Sequence, residues 1–212
     1  EANPLIRNYG KKVFQRISQI CQIASNGISG PKVCVYIPHH NYYIGEGHEI
    51  ALVIESIAKK LIYNQIEFDY IWEENLALSS VYNGEVIINS DVCYKCLIIP
   101  EKSILSDYEI DLLRNLAEKG ANIILPEVFV LQGNNVIYSS SPDEIISLIR
   151  EKIKAYLISI KPGDVPISIL TRVYGNYQFF MLLNESSKHI ACSVAFKNKG
   201  DIYFFEQNSG CL

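Results

Sequence analysis

A chain of 212 residues with 49% hydrophobic and 20% charged residues can bury one large core, or a medium and a small one, which excludes an intrinsically disordered segment. A net charge of −4 and the lack of any basic cluster remove the electrostatic case for nucleic acid. No apolar run approaches the roughly 18 residues of a membrane span and no signal-peptide pattern is visible, so no membrane partner is expected and the cytoplasm is the expected location.

Residues 5 to 24 predict an amphipathic helix with Ile6, Tyr9, Val13, Ile17, Ile20 and Ala24 along one stripe, closed by Asn26-Gly27 and Ser29-Gly30-Pro31. The stretch Lys32 to Gln65 then organises the chain. Val33 to Ile37 is a short apolar strand that stops at Pro38 and gives way to a polar, aromatic loop from His39 to Gly47. A helix follows, with Ile50, Ile54, Ile57, Ala58 and Leu61 on its inner face and Glu49, Glu55, Lys59, Lys60 and Asn64 on the other. This is a first βα unit. In open α/β sheets ligands bind beyond the carboxyl ends of the strands, so the loop after Pro38 is the first place to look for a site.

Glu67 to Trp72 reads as the second strand, ending at Glu73-Glu74, and residues 75 to 82 as a short helical turn. After Gly84, Glu85 to Ile88 reads as a short extra strand, and Cys96 to Pro100 as a buried parallel one. Ser106 and Glu109 form a capping box for a helix that carries Ile110, Leu113 and Ala117 inward and stops at Gly120. Asn122 to Pro126 is a further strand. Ser141 as cap, Pro142 at the first helical position and Glu144 behind it open a last helix that ends near Tyr156. Three strand-then-proline endings with helices between them predict an α/β fold with a flavodoxin-like parallel sheet and right-handed crossovers.

Beyond Lys161-Pro162-Gly163-Asp164 the pattern changes to strand-like runs at 167–174, 177–183, 190–196 and 201–206, joined by polar turns. The expected organisation is therefore a linker helix over 1–29, an α/β domain over 30–160 and a partial antiparallel, sandwich-like segment over 161–212. The chain begins Glu-Ala-Asn rather than with Met, and the expectation is a piece of a longer protein.

Several chemistries can be weighed from residue types. Cys34 and Cys192 sit in apolar strand patterns as small hydrophobes. Cys93 and Cys96 have CxxC spacing but lead into a strand, where a redox pair would open a helix, and no second pair completes a zinc site. After Leu97-Ile98-Ile99 the chain reads Pro-Glu-Lys-Ser, without the Gly-x-Cys-x-Gly elbow of an amidotransferase nucleophile, and no Gly-x-Ser-x-Gly occurs. Gly45-Glu46-Gly47 lacks the third glycine of a dinucleotide fingerprint, and Glu46 would repel a pyrophosphate. His39 and His40 are metal ligands only if other loops supply carboxylates; otherwise they order the loop by hydrogen bonding. Glu46, Glu73 and Glu74 are either a converging carboxylate set or a solvated acidic rim. Tyr42, Tyr43 and Trp72 suit sugar stacking, or packing against a neighbouring domain or subunit. The candidate ligand-binding residues are His39, His40, Asn41, Tyr42, Glu46 and Glu73, with no catalytic residue, metal or cofactor expected. An autonomous enzyme using His39 or His40 with Glu46 is a further reading.

The order of features resembles a domain of multidomain bacterial glycoside hydrolases of the α-L-rhamnosidase and β-galactosidase kinds, in which a glutamine-amidotransferase-like domain follows a catalytic barrel. The features are a helix ending in a glycine turn (Ile17 to Gly27), the strand end Val33 to His39, Ile66 to Ile71, Tyr94 to Pro100, Gly120 to Ile124, and the tail Tyr177 to Ser186. The resemblance covers nearly the whole chain, and its motifs mark a fold more than a site. It implies a non-catalytic domain, used in the β-galactosidases for trimer contacts, whose partners are the barrel of the parent chain and a possible second copy, with carbohydrate as a possible ligand. No catalytic residue of the family maps onto this sequence, and no barrel pattern or catalytic acid pair is present in it, so hydrolase activity is expected of the parent.

Overall fold

The computed structural model describes residues 14, 15, 17–22, 24–88 and 92–203. Helical backbone is present at 14, 15, 17–22, 24 and 25, which supports the carboxyl-terminal half of the expected first helix; the half that includes Ile6, Tyr9 and Val13 lies outside the described residues. Of the stripe residues that are described, Ile17 is exposed, whereas Ile20 and Ala24 are half-buried. The turn Asn26-Gly27 leads into a two-residue strand, β1 (Ile28–Ser29), which sequence patterning does not reveal.

The core begins at β2 (Val33–Tyr36), where every residue is buried. A short helix, α1 (His39–Tyr43), and a long one, α2 (Gly47–Tyr63), carry the chain over to β3 (Phe68–Ile71). Then come α3 (Glu73–Ala77), β4 (Ser79–Tyr82), β5 (Glu85–Ile88), β6 (Val92–Tyr94), β7 (Cys96–Ile98) and α4 (Asp107–Glu118). β8 (Ile123–Leu125), β9 (Val136–Tyr138) and α5 (Pro142–Ser147) complete this part, with a π-helical turn at Leu148–Ile153.

Five of these strands form one parallel sheet in the order β3-β2-β7-β8-β9. Counted along the chain this is 2-1-3-4-5, the flavodoxin-like order, with its switch point between β2 and β7. Alternation along the strands divides the core into two layers. Cys34, Tyr36, Ile71, Leu97 and Ile123 face Leu113, Leu116 and Ala117 of α4, whereas Val33, Val35, Cys96, Ile98 and Ile124 face α2 and α5 through Ile57, Leu61, Ile145 and Ile146. Each fully buried branched side chain contributes about 1.5–3 kcal/mol.

Three local expectations change. Residues 79–82, expected in a helical turn, form β4, paired antiparallel with β5. The turn between them is Asn83-Gly84 with φ of 52° and 80°, the positive pair that a type I′ hairpin requires. Helix geometry is confined to α3, whose end at Ala77 leaves the backbone free to enter the hairpin. β9 is a fifth parallel strand not anticipated from the sequence; it is no shorter than β7 and β8, but it is half-buried to exposed where they are buried throughout. Ser141 occupies the cap position of α5, but its side chain makes no capping bond; Glu144 instead accepts from the Ser139 hydroxyl at 2.8 Å.

The antiparallel part contains β10 (Ile158–Lys161), β11 (Ile167–Tyr174), β12 (Tyr177–Asn184) and β13 (Ser193–Phe196). β11 and β12 match the expected runs closely, and β1 adds to β11 to give the order β1-β11-β12. β10, not anticipated, pairs with β13 in a second sheet. The two share a small core of Ile158, Ile160, Val165 and Ile167, with Phe180 against Phe196 at 5.0 Å between ring centroids. Residues 201–203 are not strand, and 204–206 lie outside the described residues.

This part meets the segment leading into β3 at a polar junction. Glu67 accepts from the Thr171 amide at 2.9 Å and lies 3.7 Å from the Arg172 guanidinium, while Gln65 donates to the Ile167 carbonyl at 3.3 Å. Burial pushes the Glu67 carboxyl above its ordinary range, partly offset by the Thr171 bond and by Arg172. Among the described residues, no helix is long and apolar enough to cross a membrane.

Candidate functional site

The stretch after β2, expected as an open loop, is helical from His39 to Tyr43. Pro38 holds the cap residue extended, and the turn then closes through the Ile44 amide on His40 O (3.2 Å) and the Glu46 amide on Asn41 O (2.8 Å). His39 and His40 still diverge, because adjacent helical residues point about 100° apart. His39 lies over Trp72 with 6.4 Å between ring centroids, and His40 Nε2 lies 3.8 Å from Glu109 Oε2.

Asn41 is fully buried at the switch point, where β2 and β7 diverge. Its Nδ2 donates to Lys102 O and its Oδ1 accepts from the Ile104 amide, both at 2.8 Å, so both ends of the amide tie the first strand-end segment to the third. In this fold class that crevice is where a ligand sits. Here a side chain of the protein fills it.

Beside it lies a polar cluster that sequence patterning reaches only in part. Glu109, wholly buried on α4, closes the expected capping box: the Ser106 amide and hydroxyl donate to Oε2 at 2.6 and 2.7 Å. Its other oxygen accepts from the Tyr36 hydroxyl in a short hydrogen bond. Burial, followed by the bond to Glu109 and the negative charges of Glu109, Glu73 and Glu74, holds the Tyr36 phenol far above its usual range. Glu73, at the start of α3, therefore faces this cluster electrostatically. Glu46 does not: it is exposed at the head of α2, and the Lys102 ammonium nearby is raised chiefly by its bond to Glu49 at 2.8 Å, with smaller contributions from Glu101 and then Glu46.

Tyr42 turns away from the cluster. Its ring packs over Gly47, where an added Cβ would come within 2.5 Å of the ring edge, and its phenol lies near that of Tyr70. Tyr70 and Trp72 are exposed beside it. The six candidate residues thus divide among a buried tie (Asn41), a polar cluster (His40, Glu73), an aromatic face (His39, Tyr42) and a solvated rim (Glu46). Tyr36, Glu109 and Tyr70 belong with them, although patterning gave Glu109 only as a cap and Tyr36 and Tyr70 only as strand residues. Among the described residues, no three His, Cys, Asp or Glu side chains converge as metal ligands. An apolar cavity of about 200 Å³ under Val128–Leu131 is lined only by aliphatic and phenylalanine side chains, with no polar group to orient a ligand.

No protein-family model matches this chain, and no curated protein matches it. Solved structures do. A rhamnosidase from Novosphingobium sp. PP1Y aligns with a TM-score of 0.63 at 15% identity, over 86% of this chain and 19% of that one. An apo exo-carrageenase, GH42, from Bacteroides ovatus aligns with a TM-score of 0.54 at 10% identity, over 74% of this chain and 23% of that one. The chain spans about a fifth of the length of each, and at these identities the likeness is one of fold.

Proposed function

We propose that this chain is a non-catalytic, amidotransferase-like accessory domain of a glycoside hydrolase, serving to pack against a catalytic barrel of the same protein or against a second subunit. The observation that carries this reading is the closed switch point: Asn41 occupies the crevice with both ends of its amide committed to backbone, and Glu109 is consumed by Tyr36 and Ser106. The fold likeness to the rhamnosidase and the exo-carrageenase supports the glycoside hydrolase setting. The packing surface is β12, at the edge of its sheet among the described residues, which turns Tyr177, Phe179, Leu182 and Leu183 to solvent. In this reading residues 30–160 are the α/β unit, 161–212 belong to an antiparallel β module, and the protein works in the cytoplasm.

The test is hydrogen exchange across β12 in the isolated chain and in the product of the complete reading frame, alongside turnover of aryl glycosides. Slower exchange at β12 in the complete product, with turnover confined to it, is the expected result. Equal exchange in both, or turnover by the 212-residue chain alone, overturns the reading.

A second reading, a sugar-binding module, is favoured by the exposed rings of Tyr42 and Trp72 beside His39, with His40, Asn41, Glu46 and Glu73 as the surrounding polar set. It predicts that His40→Ala and Tyr42→Ala remove a sugar-induced chemical-shift change without unfolding the chain.

A further inference from the structure

We propose that the exposed carboxyl-terminal end of β3 is a stacking platform for a chain of neutral pyranose sugars, with Tyr70 and Trp72 as its two rungs and Tyr42 at its side. This rests on the carbohydrate-related reading above and adds a place and a ligand class to it.

Side chains alternate along a strand, and Trp72 continues the extended backbone of β3 with φ −135° and ψ −172°. Phe68, Tyr70 and Trp72 therefore project on one side, about 6.6 Å apart. Phe68 meets Tyr70 edge-on at 5.2 Å between centroids and fixes its ring. The pairing of Phe68 with Val33 and of Tyr70 with Val35 puts this side on the α2 layer of the core, where Phe68 packs, while Tyr70 and Trp72 toward the carboxyl end stand partly in solvent. Tyr70 and Trp72 are each 42% exposed and Tyr42 49%.

The polar groups decide what kind of ligand fits. Among the described residues, the hydroxyls of Tyr42 and Tyr70 and the indole N–H of Trp72 have no hydrogen-bond partner, so the apolar ring faces carry polar handles at their edges. A purely apolar protein surface laid on them would bury those donors unsatisfied. A pyranose offers C–H faces to the rings and hydroxyls to the handles. Glu73 and Glu74 follow Trp72 directly and Glu46 lies four residues beyond Tyr42, so the rim is acidic and disfavours uronate or sulfated sugars.

Trp72 is the chain's single tryptophan, so its emission reports on the platform directly. The experiment titrates the 212-residue chain with a neutral β-1,4-linked glucohexaose and, separately, with a hexagalacturonate, following Trp72 emission and its quenching by acrylamide. The expected result is a saturable blue shift and reduced quenching with the neutral sugar alone. Tyr70→Ala should weaken the response by about 2- to 10-fold, and Tyr203→Ala, at an exposed ring elsewhere, should leave it unchanged. Tyr42→Ala leaves the strand untouched and gives an independent answer if Tyr70→Ala does not fold. No response at millimolar neutral sugar, an equal response to the hexagalacturonate, or full binding by a folded Tyr70→Ala or Tyr42→Ala overturns the platform. Such a failure is separable from the accessory-domain reading, which depends on exchange at β12 and not on this face.

Discussion

The hydroxyl of Tyr36, at the end of β2, donates to the carboxylate of Glu109 on α4, and both side chains are buried. The two residues lie 73 positions apart and join the strand on one side of the switch point to the helix that follows the strand on the other. The bond closes off the only face of Glu109 that its own capping box leaves open.

Removing the donor exposes the cost of that arrangement. Tyr36→Phe keeps the ring but leaves a buried carboxylate oxygen short of a partner, and should destabilise the chain by about 2 kcal/mol. Urea unfolding followed by circular dichroism measures it. A loss below about 0.5 kcal/mol would mean that the Tyr36 bond to Glu109 contributes little to stability.

Asn41→Ala should cost about 2 kcal/mol, because the Lys102 carbonyl and the Ile104 amide lose their partner together. The local signature is sharper than the global one: the Ile104 amide should lose protection in hydrogen exchange while amides within β2 keep theirs. Asn41→Asp preserves the acceptor for Ile104 and should keep that amide protected.

Gly27 holds φ at +82°, and a Cβ there would stand 2.5 Å from the Val173 carbonyl oxygen. Gly27→Ala should therefore destabilise by more than about 1 kcal/mol, since neither the backbone conformation nor the space suits it. Gly163→Ala, where an added Cβ meets nothing within 4 Å, should stay within about 0.5 kcal/mol of the parent. Paired thermal melts of the two variants check the contrast.

The Glu67 junction gives a pH dependence with a definite sign. Its folded-state pKa is raised above the ordinary value of 4.5, chiefly by burial, so in the window from about 4.5 up to the raised value the folded chain binds more protons than the unfolded one. Stability contributed by this group then falls as pH rises through that window. Glu67→Gln removes the term, and subtracting its stability curve from that of the parent should leave a difference that declines with rising pH. A difference that rises instead would show that Arg172 and the Thr171 amide outweigh burial.

The repeated βα units were legible because parallel strands buried on both faces are unbroken apolar runs, and here Pro38, Pro100 and Pro126 close three of them. The helix stripe Ile50-Ile54-Ile57-Leu61 and the Ser106–Glu109 box were equally direct, since each depends on spacing along one element. Other features failed to show for identifiable reasons. β4 was lost because Ser79–Tyr82 has little apolar alternation, although Asn83-Gly84 was the available hairpin signal. β1 is only two residues long and β9 lacks the buried run of β7 and β8, and both exist through their partners, β11 and β8.

What the sequence by itself determined is therefore the periodic part: which segments are strands or helices and which of their faces turn inward, because hydrophobic spacing acts within a single element. Tertiary structure alone decided the roles at the strand ends. Asn41 reads as one more polar residue between Pro38 and Gly45 until the segment 61 residues later brings it a carbonyl and an amide. Glu109 reads as a cap until Tyr36 arrives, and Tyr70 as a strand residue until the fold leaves its ring partly uncovered at the end of β3. A side chain's hydrogen-bond partners and its exposure are set by what packs beside it from distant parts of the chain, and local spacing carries no record of that.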